Sequence, residues 1–396
     1  MAVVRRRKIF YISGFDPRGA AFYHKLFCEE AEKQSLVSAH ALKVGRRRRD
    51  GPLCEHWEVT GHFSGQEVRN DYVFLRWDDL IRQQWTRTLP AIVAQAFSTV
   101  TGYVRSGVLP RVYRMRRVIF QTLVYTSVLM TVLALAALAL GGLVSWGAFV
   151  GLGWALWPAL ASGLVAGLAV LFTWPLIEKS LNPLWASRAT AFILAQSHSR
   201  VAGLDDKLAA FAEQIVAAAR TAEHDEIMVV AHSSGVQLAV STMALALRKY
   251  PELGLQGAPV SLLTLGGSLP LLALLPQAQF FRERLKALVE AGQICWVDVN
   301  QTTDWVCWAA PELLVMSGIP APKGAPRPLP RSPRIHTLFS AQRYEALKRD
   351  QLRLHFQYLR AGEQAGDYDF FAITCGPATL AVSFSPSLSE SAVPHA

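Results

Sequence analysis

One serine in the stretch VVAHSSGVQL (229–238) has neighbours suited to nucleophilic chemistry. The run from Glu226 is typical of a buried strand and the run after Gly235 of a helix, so Ser233 falls in the turn between them. At the amino end of a helix, the dipole favours negative charge developing on a serine oxygen. Ser233 is therefore either a nucleophile or an ordinary polar turn residue, depending on whether the chain also supplies a base and an acid.

Small residues, Ala231 and Gly235, stand two positions either side of Ser233. A sharp strand-turn-helix leaves room for little else there, and the pattern small-x-Ser-x-small is that of a nucleophile elbow. At this point the chain resembles the α/β-hydrolase superfamily, with Ala231 where glycine is commonest. The resemblance covers about residues 8–90 and 188–375, and it implies a serine, an acid and a histidine in that order along the chain.

That order is met by Asp304, in NQTTDWVCW, and by His355, in LRLHFQYL. Asp304 follows the strand-like QICWVDV, where the resemblance expects the acid. Asp298 is the alternative acid, but it lies inside the apolar run and is more typical of a buried structural carboxylate. His336 is the alternative base and lies nearer to a proline-rich segment. We expect Asp304 and His355 to complete a triad with Ser233.

The segment YISGFDPRG, at the end of the first predicted strand, resembles the family's His-Gly-x loop, with Ser13 in place of histidine. The resemblance implies an oxyanion hole formed by the backbone amides of Phe15 and Ser234. The DPRG part is also a strong turn sequence, and a tight turn would aim the Phe15 amide inward. Asp16 and Arg18 could contact a substrate head group.

Outside one long apolar segment, strand-like and helix-like runs alternate, which is typical of an α/β fold with a mostly parallel sheet covered by helices. We predict an α/β-hydrolase-like sheet of this kind, interrupted by two inserted transmembrane helices. Strands are predicted at 8–13, 55–61, 71–77, 226–231, 259–265 and 293–300, and helices at 20–34, from Asp79, and at 204–219.

The apolar segment, residues 118–177, contains no Asp, Glu, Lys or Arg, whereas one membrane span needs about 20 apolar residues. We predict a hairpin with spans near 118–140 and 149–176 and a turn at 141–147. Two pairs of glycines spaced four apart would let the helices approach closely: Gly147 with Gly151, and Gly163 with Gly167.

Basic residues flank the outer ends of this hairpin, and none lies in its turn. This pattern predicts an integral protein of the inner or plasma membrane, with the catalytic domain and both termini in the cytoplasm. The flanking residues are Arg105, Arg111, Arg114, Arg116, Arg117, Lys179 and Arg188. The predicted domains are 1–117 and 178–382 for the two parts of the α/β domain, 118–177 for the hairpin, 318–333 for a proline-rich loop or lid, and 383–396 for a disordered tail.

The net charge of +10 is concentrated in arginine clusters that suit an anionic leaflet, and no nucleic-acid recognition motif is present. Five cysteines without a CxxC pair and ten histidines without HExxH imply no metal, no cofactor and no disulfide. The expected partners are therefore the membrane and a lipid or acyl-ester substrate. We expect a membrane-anchored serine hydrolase of lipid-like acyl esters; the alternative is a non-catalytic scaffold of the same fold.

Overall fold

The computed structural model describes residues 3–174, 176–177, 183–308, 313–320 and 328–385. Two compact units make up the chain. The sheet unit comprises the described residues up to Trp85 and from Ala195 onward, and the helical unit comprises Thr86–Leu194. Lys179, most of the predicted tail and residues 321–327 of the predicted proline-rich loop lie outside the described residues.

The sheet unit contains nine strands in the order β2-β4-β5-β1-β6-β7-β8-β9, with β3 beside β4. Strands β5, β1, β6, β7, β8 and β9 run parallel, and β4 is antiparallel to β2, β3 and β5. The predicted α/β class with a mostly parallel sheet is therefore confirmed. The strands are β1 (Arg6–Ile12), β2 (His40–Val44), β3 (Arg48–Asp50), β4 (Cys54–Phe63), β5 (Gln66–Leu75), β6 (Glu226–His232), β7 (Val260–Leu265), β8 (Cys295–Val299) and β9 (Leu329–Arg331).

Differences in burial explain why some strands were predicted from the sequence and others were not. Every residue of β6 and β7 is buried, as expected for central parallel strands covered on both faces. Strands β2, β3 and β9 were not predicted, because they are short and lie largely half-buried or exposed. Strand β9 lies within the predicted proline-rich loop, where Pro330 is tolerated because the strand pairs only with β8.

Sixteen α-helices accompany these strands in the described part of the chain. In chain order they are α1 (Gly19–Val37), α2 (Asp78–Gln84), α3 (Leu89–Arg105), α4 (Leu109–Met115), α5 (Arg117–Trp146), α6 (Leu156–Leu171), α7 (Pro183–Ser197), α8 (Leu204–Arg220), α9 (Gly235–Lys249), α10 (Leu269–Ala273), α11 (Gln279–Ala291), α12 (Leu313–Met316), α13 (Ala341–Arg349), α14 (Gln351–His355), α15 (Phe370–Cys375) and α16 (Leu380–Ser383). Helix α1 lies against the sheet through an aromatic core that includes Tyr11, Phe27, Trp57 and Tyr72.

The helical unit corrects the predicted hairpin. Among the described residues, one helix is long and apolar enough to cross a membrane, Arg117–Gly151, whereas the second apolar helix, Leu156–Leu171, is shorter. The predicted turn at 141–147 is wrong, because α5 continues to Trp146 and a π-helical turn extends it to Gly151. The chain instead reverses just before α6, where Gly153 takes a φ of 65° that favours glycine.

Small residues let α5 and α6 pack closely. A Cβ atom at Gly163 would lie 2.2 Å from the carbonyl oxygen of Gly141, and one at Gly167 would lie 3.0 Å from that of Ala137. The predicted close approach is thus confirmed for Gly163 and Gly167. It is wrong for the other predicted pair, because a Cβ at Gly147 or Gly151 would have no heavy atom within 4 Å among the contacts described.

Candidate active site

The turn that carries Ser233 is sharp and strained. Strand β6 ends at His232, helix α9 begins at Gly235, and Ser233 between them has a φ of 58°, a left-handed conformation that is uncommon outside glycine. Its amide donates to the carbonyl oxygen of Leu265 at 2.9 Å, and its own carbonyl accepts from the amide of Val236 at 3.0 Å. Backbone hydrogen bonds on both sides therefore hold the serine in this conformation.

Two glycines, one at the start of α9 and one in the loop after β1, leave the space that the turn needs. A Cβ atom at Gly235 would lie 2.5 Å from the carbonyl oxygens of both Ile12 and Ser13, at the end of β1. A Cβ at Gly14 would lie 2.7 Å from the Cβ of Ser233. Any larger side chain at Gly235 would push α9 away from β1, so the small residue in the elbow pattern has a direct steric cause.

Asp304 and His355 form a buried hydrogen-bonded pair. Asp304 follows β8, His355 ends α14, and His355 Nδ1 lies 2.8 Å from Asp304 Oδ2, with both side chains fully buried. Burial opposes the charged form of Asp304, but His355 and hydrogen bonds from Val306 and Tyr358 outweigh it and hold the pKa of Asp304 below its usual range. A carboxylate can only accept, so Nδ1 carries a proton, and Nε2 is then the nitrogen that acts as the base in the neutral imidazole.

Tyr358 orients the acid. Its hydroxyl donates to Asp304 Oδ2 at 3.2 Å and accepts from the amide of Gln301 at 2.9 Å. The ring is fully buried and lies one short 3₁₀ turn beyond His355. The sequence did not predict this role, although a tyrosine three residues after a candidate base is within reach of the same acid.

His232 connects the serine turn to the base. Its Nε2 lies 2.8 Å from the carbonyl oxygen of His355, and the centroids of the two rings are 4.7 Å apart. The carbonyl can only accept, so Nε2 carries the proton. Burial, together with the nearby His355, lowers the pKa of His232 to about 3, so this imidazole is neutral at physiological pH. His232 was predicted only as the residue before the serine, and its contact with His355 was not predicted.

The serine and the base approach the same point without a hydrogen bond between them. The hydrogen bonds that the structure describes for His355 are those with Asp304 and His232, and none of them involves the Ser233 hydroxyl. The Ser233 amide nevertheless binds Leu265, and the next residue, Gly266, would place a Cβ 3.3 Å from His355 Cε1. Both groups therefore flank the carboxyl end of β7, and catalytic hydrogen bonds are often long before substrate binds.

The alternative acid and base lie elsewhere. Asp298, inside β8, accepts hydrogen bonds from Thr264 Oγ1 at 2.6 Å and Asn300 Nδ2 at 2.5 Å, and burial raises its pKa to about 7. His336 is exposed on a 3₁₀ turn, with its ring centroid 6.1 Å from that of Tyr344. The structure thus brings together the favoured acid and base, Asp304 and His355.

The two predicted oxyanion-hole residues lie on loops that meet the serine. Ser234 is the N-cap of α9, where the first amides of a helix have no intrahelical acceptor. Phe15 is buried next to Gly14, which contacts Ser233, and its ring packs against those of Trp77 and Trp85. The loop is fixed further because Trp77 Nε1 donates to the carbonyl oxygen of Ser13 at 3.0 Å.

No group of three or more His, Cys, Asp or Glu side chains within the described ranges is arranged to hold a metal ion. No protein-family model matches the chain, and neither a curated protein nor a solved structure matches it.

Proposed function

We propose that this protein is a membrane-anchored serine hydrolase that cleaves acyl esters through Ser233, His355 and Asp304, on an α/β-hydrolase-like sheet. The observation that carries the proposal is the strained turn at Ser233 beside the buried His355–Asp304 hydrogen bond of 2.8 Å. A non-glycine residue held at positive φ between a strand and a helix costs free energy, and such strain is concentrated at functional sites.

In the proposed reaction, Ser233 Oγ attacks the acyl carbonyl carbon while its proton moves to His355 Nε2. The resulting oxyanion accepts hydrogen bonds from the amides of Phe15 and Ser234, and Asp304 stabilises the imidazolium. The carbon–oxygen bond to the alcohol then breaks, and the alcohol leaves with the proton from His355. Water attacks the acyl-enzyme with His355 again as base, which releases the acid and restores the Ser233 hydroxyl.

We further propose that α5 and α6 form a membrane hairpin and that the substrate is lipid-like. Large apolar side chains along both helices are exposed, for example Leu135, Leu143, Leu164 and Val165. Exposed apolar surface of this extent is unfavourable in water and favourable in a bilayer. Basic residues outside the hairpin favour a cytoplasmic position for the sheet unit.

A non-catalytic scaffold is the second candidate function. The observation that favours it is the complete burial of His355 and Asp304. In a scaffold these groups would only stabilise the packing of the loops that follow β6 and β8.

Turnover of 4-nitrophenyl butyrate by the detergent-solubilised protein separates the two candidates. We expect hydrolysis by wild type and by Ser35→Ala, a control on α1 whose hydroxyl only bonds the Ala31 carbonyl. Ser233→Ala should lose about 10⁴-fold or more in kcat. Equal turnover by Ser233→Ala and wild type, or none by wild type, would favour the scaffold.

A further inference from the structure

Arg18 holds a fixed positive charge in the loop that follows Phe15. Its Nε donates to Asp16 Oδ1 at 2.8 Å, and its Nη2 donates to Asp16 Oδ2 at 2.5 Å. Its Cζ lies 3.6 Å from the ring centroid of Phe22 and 5.1 Å from that of Phe356. The side chain is 45% exposed, and its hydrogen bonds to Asp16 use Nε and Nη2 but not Nη1. The guanidinium is thus oriented in advance, with one donor edge open.

This guanidinium lies close to the proposed catalytic groups. Phe356, under Arg18, directly follows His355, and its ring centroid is 5.2 Å from that of His232. The loop that carries Arg18 also contains Gly14, which contacts Ser233. The ring of Phe356 therefore lies between the Arg18 guanidinium and the imidazole of His232, the residue before Ser233.

Two more arginines flank Phe356 along the chain, the residue whose ring lies under Arg18. Arg353 is exposed, and Arg360 is half-buried, with an Nε that is buried and has no hydrogen-bond partner in the described chain. Burial lowers the pKa of Arg360, and the charges of Arg353 and Arg18 lower it further against the opposing effect of Glu30. The Arg360 guanidinium is thus close enough to both Arg353 and Arg18 for their positive charges to act on it.

The acidic residues around these arginines already have partners. Asp16 accepts from Arg18, Glu30 pairs with Lys33 at 2.7 Å, and the Asp350 carboxylate accepts from the Arg353 amide at 2.9 Å. Clustered cations of this kind are stabilised by an added anion, and a guanidinium matches the geometry of phosphate and carboxylate oxygens.

We infer that Arg18, Arg353 and Arg360 form an anion subsite that binds a phosphate or carboxylate group of the ester substrate while its acyl carbonyl lies at Ser233. This inference rests on the proposed hydrolase function and narrows its substrates to esters that carry a negative charge. An anionic lipid head group and a soluble anionic ester both have the required chemistry.

The test compares two soluble butyrate esters, of 4-nitrophenol and of a 4-nitrophenol that carries a carboxylate. Arg18→Gln should lower kcat/KM for the anionic ester by about tenfold to a hundredfold relative to the neutral ester, mainly through KM. Arg353→Gln should act in the same direction with a smaller loss, because this side chain is exposed. Arg353 does not bond Asp16, so a loss in this second variant cannot result from a disturbed Asp16 loop.

Arg220→Gln is the matched control. Its guanidinium also lies over an aromatic ring, 4.9 Å from the centroid of Tyr250, but it ends α8 at the opposite end of the parallel strands. It should leave the ratio of the two esters unchanged. Equal effects of Arg18→Gln and Arg353→Gln on both esters, or no effect on either, would overturn the subsite.

A third substrate, an anionic phospholipid in detergent micelles, identifies the source of the charge. Loss with both the micelles and the soluble anionic ester supports a subsite that accepts a lipid head group, whereas loss with the soluble anionic ester alone supports recognition of soluble anionic esters. Failure of the subsite is distinct from failure of the proposed function, because the latter would abolish turnover of the neutral ester in wild type as well.

Discussion

The turn at Ser233 is held by backbone, whereas the pair His355–Asp304 is held by side chains. Ser233 keeps its positive φ through two backbone hydrogen bonds and through Gly235, which lets β1 pass at close range. The pair instead depends on hydrogen bonds between segments distant in sequence, with Tyr358 as a third member. The nucleophile is therefore sensitive to added volume nearby, and the base is sensitive to the loss of single polar atoms.

The largest expected effects come from removing the proposed base. His355→Ala should reduce turnover of 4-nitrophenyl butyrate by about 10⁴-fold or more, close to the loss from Ser233→Ala, because the two residues act in the same step. The exposed His336→Ala is the control and should stay within about tenfold of wild type. A folded but inactive His336→Ala together with an active His355→Ala would show that the base is misassigned.

The acid should be almost as sensitive. Asp304→Asn should lower kcat by about 10⁴-fold, because an amide in its place favours the wrong imidazole tautomer. Asp298→Asn keeps the shape of the buried side chain near Thr264 and should remain within about tenfold, provided that thermal melts show it folded. Similar losses in the two folded variants would remove the distinction between a catalytic and a structural carboxylate.

A larger side chain next to Ser233 tests the part of the site that is held by backbone. Gly235→Ala should destabilise the protein by about 2 to 3 kcal/mol, because its Cβ would lie 2.5 Å from the carbonyl oxygens of Ile12 and Ser13. Chemical denaturation measures the loss, and the turnover of the folded fraction should fall as the serine shifts. Unchanged stability and turnover would mean that the turn does not require glycine at this position.

The smallest expected effect concerns Tyr358. Tyr358→Phe removes one donor to Asp304 and the acceptor of the Gln301 amide, and it should cost about 2 kcal/mol or more at neutral pH. The folded pKa of Asp304 is lowered, so its contribution to stability exists above the unfolded pKa of about 4 and is lost as pH falls through the folded pKa. The variant has a higher folded pKa, so its deficit should shrink in acid.

Tyr368→Phe provides the matched control for this pH dependence. Its hydroxyl donates to the uncharged carbonyl of Tyr358 at 2.6 Å, so the deficit of that variant should not change between neutral and acidic pH. Denaturation curves at both pH values compare the two variants. A deficit in Tyr358→Phe that is independent of pH would show that its hydroxyl does not stabilise a charged Asp304.

The contrast between local and distant interactions also explains what the sequence could predict. Strands β6, β7 and β8 and the turn at Ser233 follow from short apolar runs and small residues, which are local patterns. The contacts of His232 and Tyr358 arise only when the loops after β6 and β8 meet the segment around His355, so no local pattern indicates them. Apolar composition likewise predicted the long apolar segment but not where the chain turns within it, because Gly141 lies inside α5 and the turn comes at Gly153.

The central claim is that Ser233 is an activated nucleophile. It is tested most directly by treating the solubilised protein with a fluorophosphonate probe and locating the modified peptide by mass spectrometry, because only an activated hydroxyl attacks such phosphorus centres at a useful rate. The account predicts one adduct, on Ser233, that is strongly reduced in His355→Ala and absent in Ser233→Ala. An adduct of equal yield in wild type and Ser233→Ala, or no adduct on folded wild type, would contradict it.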